Sequence, residues 1–232
     1  MLADAPPLGR RLVAEGIGSF FLFATVIGSG IMAEALAQGN DAVALIGNTA
    51  ATGAILFVLI TMLGPISGAQ MNPAVSLVAA SRGELKWGDA AAYIVVQLLC
   101  GVAGALAAHA MFDLPLLQLS AKARTGDGQW LGEAIATFGL VLTIWGTAKH
   151  RPKAVPASVA LYITAAYWFT SSTSFANPAI TFARSMTDSF SGIAPEDVPG
   201  FIVAQLVGAA LAALVVRALF DDRERDGAMP LR

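Results

Sequence analysis

Long apolar runs broken by short polar clusters define this chain. Six runs approach or exceed the length of a membrane crossing: 12–35, 42–63, 87–112, 130–148, 155–170 and 198–219. A helix crossing the hydrocarbon core needs about 20 mostly apolar residues. The pattern therefore predicts six transmembrane helices, the fifth of them short. Two further runs, 72–80 and 177–187, are apolar but too short to cross. Each begins with Asn-Pro. Asn is a strong N-cap, and Pro suits the first helical position, where its missing N–H is not needed. The pattern thus predicts two half-helices starting at Asn72 and Asn177. Irregular backbone just ahead of them, at membrane depth, is tolerable only where it is buried in protein or lines a cavity.

Composition sharpens this reading. The chain has 232 residues, 56% hydrophobic and only 13% charged. That is about half the charge of a soluble domain, too little to cover a water-facing surface. The formal net charge of −2 and the lack of a basic stripe argue against nucleic acid as a partner. Cys100 is the only cysteine, which excludes an intrachain disulfide and a cysteine-based zinc site. No glycine-rich phosphate loop or metal-ligand cluster is present, so neither an enzyme nor a bound cofactor is expected. "MLADAPPLGRR" reads as a short tail before the first span, and "DDRERDGAMPLR" as a solvated tail after the last. With the N-terminus inside, 11 of the 14 Lys and Arg fall on the cytoplasmic side, and only Lys122, Arg124 and Arg184 fall elsewhere. That bias predicts both termini in the cytoplasm, as six spans require.

The two halves echo each other. "AEGIGSFFLFAT" carries Glu15 early in span one, and "GEAIATFGLVLT" carries Glu133 early in span four. "QMNPAVSLVAA" is matched by "FANPAITFARS". "YIVVQLLCGVAGAL" with Gln97 is matched by "FIVAQLVGAALAAL" with Gln205. Three spans per half is an odd number, so the second half must lie inverted in the membrane. The halves run 1–115 and 116–232, and together they make one domain. Such repeats place a site near the midplane, built from broken helices. Two half-helix N-termini meeting there create a positive potential that repels cations but not neutral molecules. The amides of Asn72 and Asn177 are expected to offer donors to a passing solute.

Two Asn-Pro-Ala boxes (Asn72, Pro73, Ala74 and Asn177, Pro178, Ala179), the paired glutamates and "SGAQMNPAV" resemble the aquaporin and glycerol-facilitator family, the major intrinsic proteins. The resemblance covers about 11–219. It implies an all-α membrane protein of six transmembrane helices and two re-entrant half-helices. It also implies a pore in each protomer and a homotetramer in the lipid bilayer. Glu15 and Glu133 have two readings, a proton relay or carboxylates that shape the re-entrant loops. The resemblance favours the loop-shaping role.

The family usually places arginine directly after the second box, in a narrow filter. Here that position is Ile180, and Arg184 follows four residues on. Arg184 shares a helix face with Ile180 and is within reach of the lumen or its outer vestibule. The simpler expectation is that it faces headgroups or pairs with Asp188. Counting from the boxes gives the other filter positions as Thr52, Ser174 and Ala165, the last insecure because of a suspected insertion or deletion. A filter of Thr52, Ala165, Ser174 and Ile180 is small and uncharged. It predicts a passive channel for small neutral solutes: glycerol-like polyols, water and, by likeness to a bacterial arsenite-associated branch, neutral metalloid hydroxides. The same likeness suggests a bacterial cytoplasmic membrane. The alternatives are a water-selective channel, a proton-coupled transporter, and a pore plugged by Phe57, Phe175, Phe182, Tyr167 or Trp168.

Overall fold

The computed structural model describes residues 6–221. Residues 1–5 of the first tail and all of the second but Asp221 therefore lie outside the described residues, and α1 already begins inside the first tail, at Leu8. Eight α-helices follow one another: α1 (Leu8–Ala37), α2 (Asp41–Ser67), α3 (Pro73–Ser81), α4 (Trp87–Met111), α5 (Asp127–His150), α6 (Val155–Phe169), α7 (Pro178–Arg184) and α8 (Val198–Phe220). Among the described residues there is no strand. Five helices (α1, α2, α4, α5 and α8) are long and apolar enough to cross a membrane. The sixth, α6, has 15 residues and rises only about 22 Å. A 3-10 turn at Pro152–Ala154 leads into it. The half-helix α7 stops at Arg184 rather than running on to 187. There Ser185 Oγ donates back to the Phe182 carbonyl at 2.7 Å and closes the last turn.

Each half packs in the same way. Helix α1 lies against α2 and α4, and α5 lies against α6 and α8, while α2 and α6 join the halves. The half-helices α3 and α7 both touch α4 and α8, so each docks on both halves. Close approach depends on glycine at two crossings. A Cβ on Gly104 would overlap the Phe20 carbonyl of α1, and one on Gly208 would overlap the Ala134 carbonyl of α5.

The outer surface is apolar. Leu99, Leu161 and Leu214 are each more than 60% exposed, as suits side chains facing hydrocarbon. The interior is where the polar groups lie: Glu15, Gln97, Glu133, Gln205 and Arg184 are buried. That inversion makes those groups the place to look for function.

Candidate functional site

Asn72 and Asn177 begin the two half-helices as matched caps. Asn72 Oδ1 accepts from the Ala74 N–H at 2.9 Å, and Asn177 Oδ1 accepts from Ala179 at 3.0 Å and Ile180 at 3.3 Å. Each amide nitrogen then crosses to the other half. Asn72 Nδ2 donates to the Ala176 carbonyl, and Asn177 Nδ2 donates to the Met71 carbonyl, both at 2.8 Å. The N-termini of α3 and α7 therefore meet tip to tip. An amide nitrogen carries two donors. One N–H of each remains without a protein partner among the described residues, and both asparagines line the central cavity.

The backbone ahead of each box is unusual. Ala69 and Met71 in the first half, and Ser174 and Ala176 in the second, sit at φ between 46° and 50°. That left-handed region costs an L-residue about 1–2 kcal/mol each. The buried glutamates offset it. Glu15 Oε1 accepts from Ser67 Oγ at 2.7 Å and the Gln70 N–H at 2.9 Å. Its Oε2 accepts from the Met71 N–H at 2.7 Å and Gln97 Nε2 at 2.9 Å. Glu133 accepts from the Phe175 N–H at 2.8 Å, the Ala176 N–H at 2.9 Å and Gln205 Nε2 at 2.6 Å. Each glutamine reaches on to a hydroxyl one turn into the half-helix, Ser76 at 3.1 Å and Thr181 at 2.8 Å. Those hydroxyls donate to the carbonyls of Asn72 and Asn177. The two hydroxyls were not singled out from sequence. Their signal was there, as the fifth residue of "NPAVS" and of "NPAIT".

A cavity of about 990 Å³ runs past these groups. At one end it is bordered by Arg82, Glu84, Trp145 and Asp221, and at the other by Thr52, Ser174, Ile180 and Arg184. Leu56, Ile60, Val75 and Val159 give it apolar walls between the polar stations. At the first end Arg82 pairs with Asp221 at 2.8 Å, and Trp145 Nε1 donates to Glu84 at 2.9 Å. The Arg82 guanidinium holds the Asp221 carboxyl below its ordinary value of 3.8.

Three filter positions come together at the second end, and the fourth does not. Ala165 is exposed on the outer side of α6 and is absent from the cavity wall. Tyr167, two residues on and so on the other side of the helix, lines the cavity instead. Its hydroxyl lies 3.3 Å from Thr52 Oγ1. Of the two readings of Arg184, the structure favours the one towards the lumen. Arg184 is 1% exposed and lies on the cavity wall. Asp188 is not its partner but accepts from the Ala121 N–H at 3.1 Å. Of the candidate plugs, Phe57, Phe182 and Trp168 are about half exposed and point away from the interior.

The segment between the halves covers this end. Arg124, buried, donates through Nε to the Gly192 carbonyl at 2.7 Å, and its N–H donates to Asp197 at 2.6 Å. Burial pushes its pKa down to about 10, which leaves it a cation at neutral pH.

Comparison with known proteins shows the family and the fold. The profile of the family described as Major intrinsic protein matches residues 3–175 and 154–230. Aquaglyceroporin AqpS of Rhizobium meliloti is 58% identical over 212 residues, covering 91% of both chains. Aquaporin AqpM of Methanothermobacter thermautotrophicus is 31% identical, covering 91% of this chain and 98% of its own. Among solved structures, the aquaglyceroporin from Plasmodium falciparum superposes with a TM-score of 0.73 at 18% identity. The match covers 92% of this chain and 97% of that one.

Proposed function

The chain belongs to the Major intrinsic protein family, and from that premise we propose how its pore works. It is a membrane channel, not an enzyme, and it passes water and small neutral solutes of the glycerol kind. One observation carries the reading: the N-termini of α3 and α7 meet inside the cavity, cross-bonded through Asn72 and Asn177. A helix N-terminus carries roughly +0.5 of an elementary charge. Two of them opposed repel a cation at that level. A neutral oxygen instead accepts from the spare amide N–H groups and moves on.

Glu15 and Glu133 act as scaffolds of the two re-entrant loops, and their saturation by backbone and glutamine donors supports that role over a proton relay. Thr52, Ser174 and Ile180 line the selective end, and their small or apolar side chains favour solutes wider than water. Neutral trihydroxylated metalloids such as arsenite share glycerol's size and hydroxyl pattern and belong to the same substrate class. The protein works as a homotetramer with a pore in each protomer. Its two repeats, 1–115 and 116–232, are inverted in a bacterial cytoplasmic membrane. Both termini are cytoplasmic, which the bias of Lys and Arg towards that side supports.

Vesicle shrinkage and swelling with water, glycerol, urea and arsenite test the substrate class. Each solute is expected to cross faster than in empty vesicles and without any pH gradient. Fluxes equal to those of empty vesicles would remove the reading.

A further inference from the structure

Arg184 has a setting that the pore reading above does not use. It is among the largest fully buried side chains of the molecule. Its Nε donates to the Ser191 carbonyl, and its guanidinium carbon lies 3.4 Å from the centroid of the Phe175 ring. Arg124 stands over the same ring at 4.9 Å. Among the described residues neither arginine has a carboxylate within 4 Å of its guanidinium. Burying a cation without a counter-ion is expensive. The π face of Phe175 and the backbone carbonyls stabilise it only in part. A charge kept there at such a cost points to a use.

The groups around it have donors and acceptors to spare. A guanidinium carries five N–H donors, and Ser191 takes one of those of Arg184. Tyr167 lines the same cavity wall as Arg184. Thr52 Oγ1 donates to the Asn48 carbonyl at 2.8 Å. Tyr167 must therefore be the donor in its 3.3 Å contact with Thr52. That orientation leaves the lone pairs of the Tyr167 oxygen able to accept. Ser174 Oγ is buried with no protein partner. All four side chains border the same end of the cavity, with Ile180 as an apolar neighbour.

We propose that Arg184, with Tyr167, Thr52 and Ser174, forms the selective constriction of this pore. The guanidinium at 184 donates to solute hydroxyls and rejects cations, and the unpartnered Ser174 hydroxyl completes the solute's hydrogen bonds. This rests on the channel reading. The positive charge that the family usually places directly after the second box stands here one helical turn further on, at Arg184. The matching ligand is a small neutral molecule with adjacent hydroxyls, one accepting from Arg184 while another donates to Ser174.

The test uses the full chain in phosphatidylethanolamine and phosphatidylglycerol vesicles. Potassium, glycerol and water fluxes are measured for wild type, Arg184→Met, Arg184→Lys and Tyr167→Phe. Arg184→Met keeps the length and removes the charge. Potassium flux is expected to rise at least about tenfold, because a nearby charge in a low-dielectric pore is a large barrier. Arg184→Lys keeps the charge but loses the planar fork, so glycerol flux falls relative to water by about tenfold while potassium stays excluded. Tyr167→Phe lowers the glycerol-to-water ratio in the same direction. Unchanged potassium flux in Arg184→Met, or an unchanged glycerol-to-water ratio in both Arg184→Lys and Tyr167→Phe, overturns the proposal. If Arg184→Met does not reach the membrane, the other two variants decide alone. Failure of the channel reading looks different: wild type itself is then no faster than empty vesicles.

Discussion

Replacing Glu133 by glutamine separates a scaffold from a proton relay. The substitution preserves shape and removes charge. In the native protein one carboxylate oxygen takes the Phe175 N–H, and the other takes the Ala176 N–H and Gln205 Nε2. A carboxamide has only one oxygen. Its best orientation keeps that oxygen towards Ala176 and Gln205 and turns its NH2 against the Phe175 N–H. An orphaned buried N–H costs about 1–3 kcal/mol, and the two remaining bonds each lose about 1 kcal/mol of charge assistance. The total is about 3–5 kcal/mol. Two residues that these bonds restrain, Ser174 and Ala176, are already in the left-handed region. The loop is therefore expected to relax and take Asn177 out of line. Glu15→Gln is expected to behave alike, since the Gln70 or the Met71 N–H is orphaned whichever way its amide turns. The assay is thermal unfolding in detergent beside water and glycerol flux in vesicles, each with and without a pH gradient. A scaffold gives a lower unfolding temperature and parallel loss of both fluxes. Wild-type unfolding, together with loss only of a pH-driven component, would refute the scaffold and restore the relay.

Three further outcomes follow from other parts of the fold. Ile180→Arg puts a second guanidinium at the cavity wall one turn from Arg184; glycerol and arsenite fluxes should fall more than water flux, and an equal loss across the panel counts against Ile180 bordering the constriction. Gly208→Ala drives a methyl group into the Ala134 carbonyl where α8 crosses α5; a loss of about 1–3 kcal/mol is expected, seen as a lower unfolding temperature, whereas alanine at the unobstructed Gly64 should cost less. Asp221→Asn breaks the exposed pair with Arg82 and should cost no more than about 1 kcal/mol. Because the native carboxyl is held below 3.8, that stabilisation is present at neutral pH and is lost as pH falls through the folded-state value; a stability difference that persists in strong acid contradicts the assignment.

The architecture was legible because it rests on periodic and local signals. Apolar length gave the spans, and Asn-Pro gave the starts of α3 and α7 to the residue. The repeated glutamates and glutamines gave the matched packing of the two halves. The end of the pore was harder to read because it depends on rotation and on chain that is not helical. Ala165 and Tyr167 are two residues apart, which on a helix puts them on opposite sides, so a small counting error selects the lipid face. The count to 165 runs beside "TAAYWFTSSTSF", the stretch in which an insertion or a deletion would shift it. Choosing between the two readings of Arg184 was out of reach for a related reason. Its position relative to Ile180 was clear, but its preference for an aromatic ring and a loop carbonyl over Asp188 depends on Phe175 and Ser191. Arg124 carries no local signal at all. It reaches the site because the segment between the halves folds against the 185–197 stretch, pairing Ser120 with Ser185 and Lys122 with Ala194.

Charge and width are therefore separable in this pore. In a filter whose arginine sits directly after the second box, one side chain both narrows the passage and supplies its positive charge. Here the two tasks fall on different residues. Ile180 sets an apolar wall with no donors, while Arg184 holds its charge one turn away, against Phe175 rather than against a carboxylate. The half-helix tips add their own positive potential deeper in the cavity. A monovalent cation meets both barriers in series, and neither depends on a narrow bore. A neutral polyol meets neither barrier and finds donors at Arg184, an acceptor at Ser174 and spare amide N–H groups at Asn72 and Asn177. Widening the pore at 180 thus need not open it to ions. The corresponding expectation is that Ile180→Ala raises glycerol flux while potassium flux remains that of wild type. A joint rise of both would show that width and charge exclusion are one property after all.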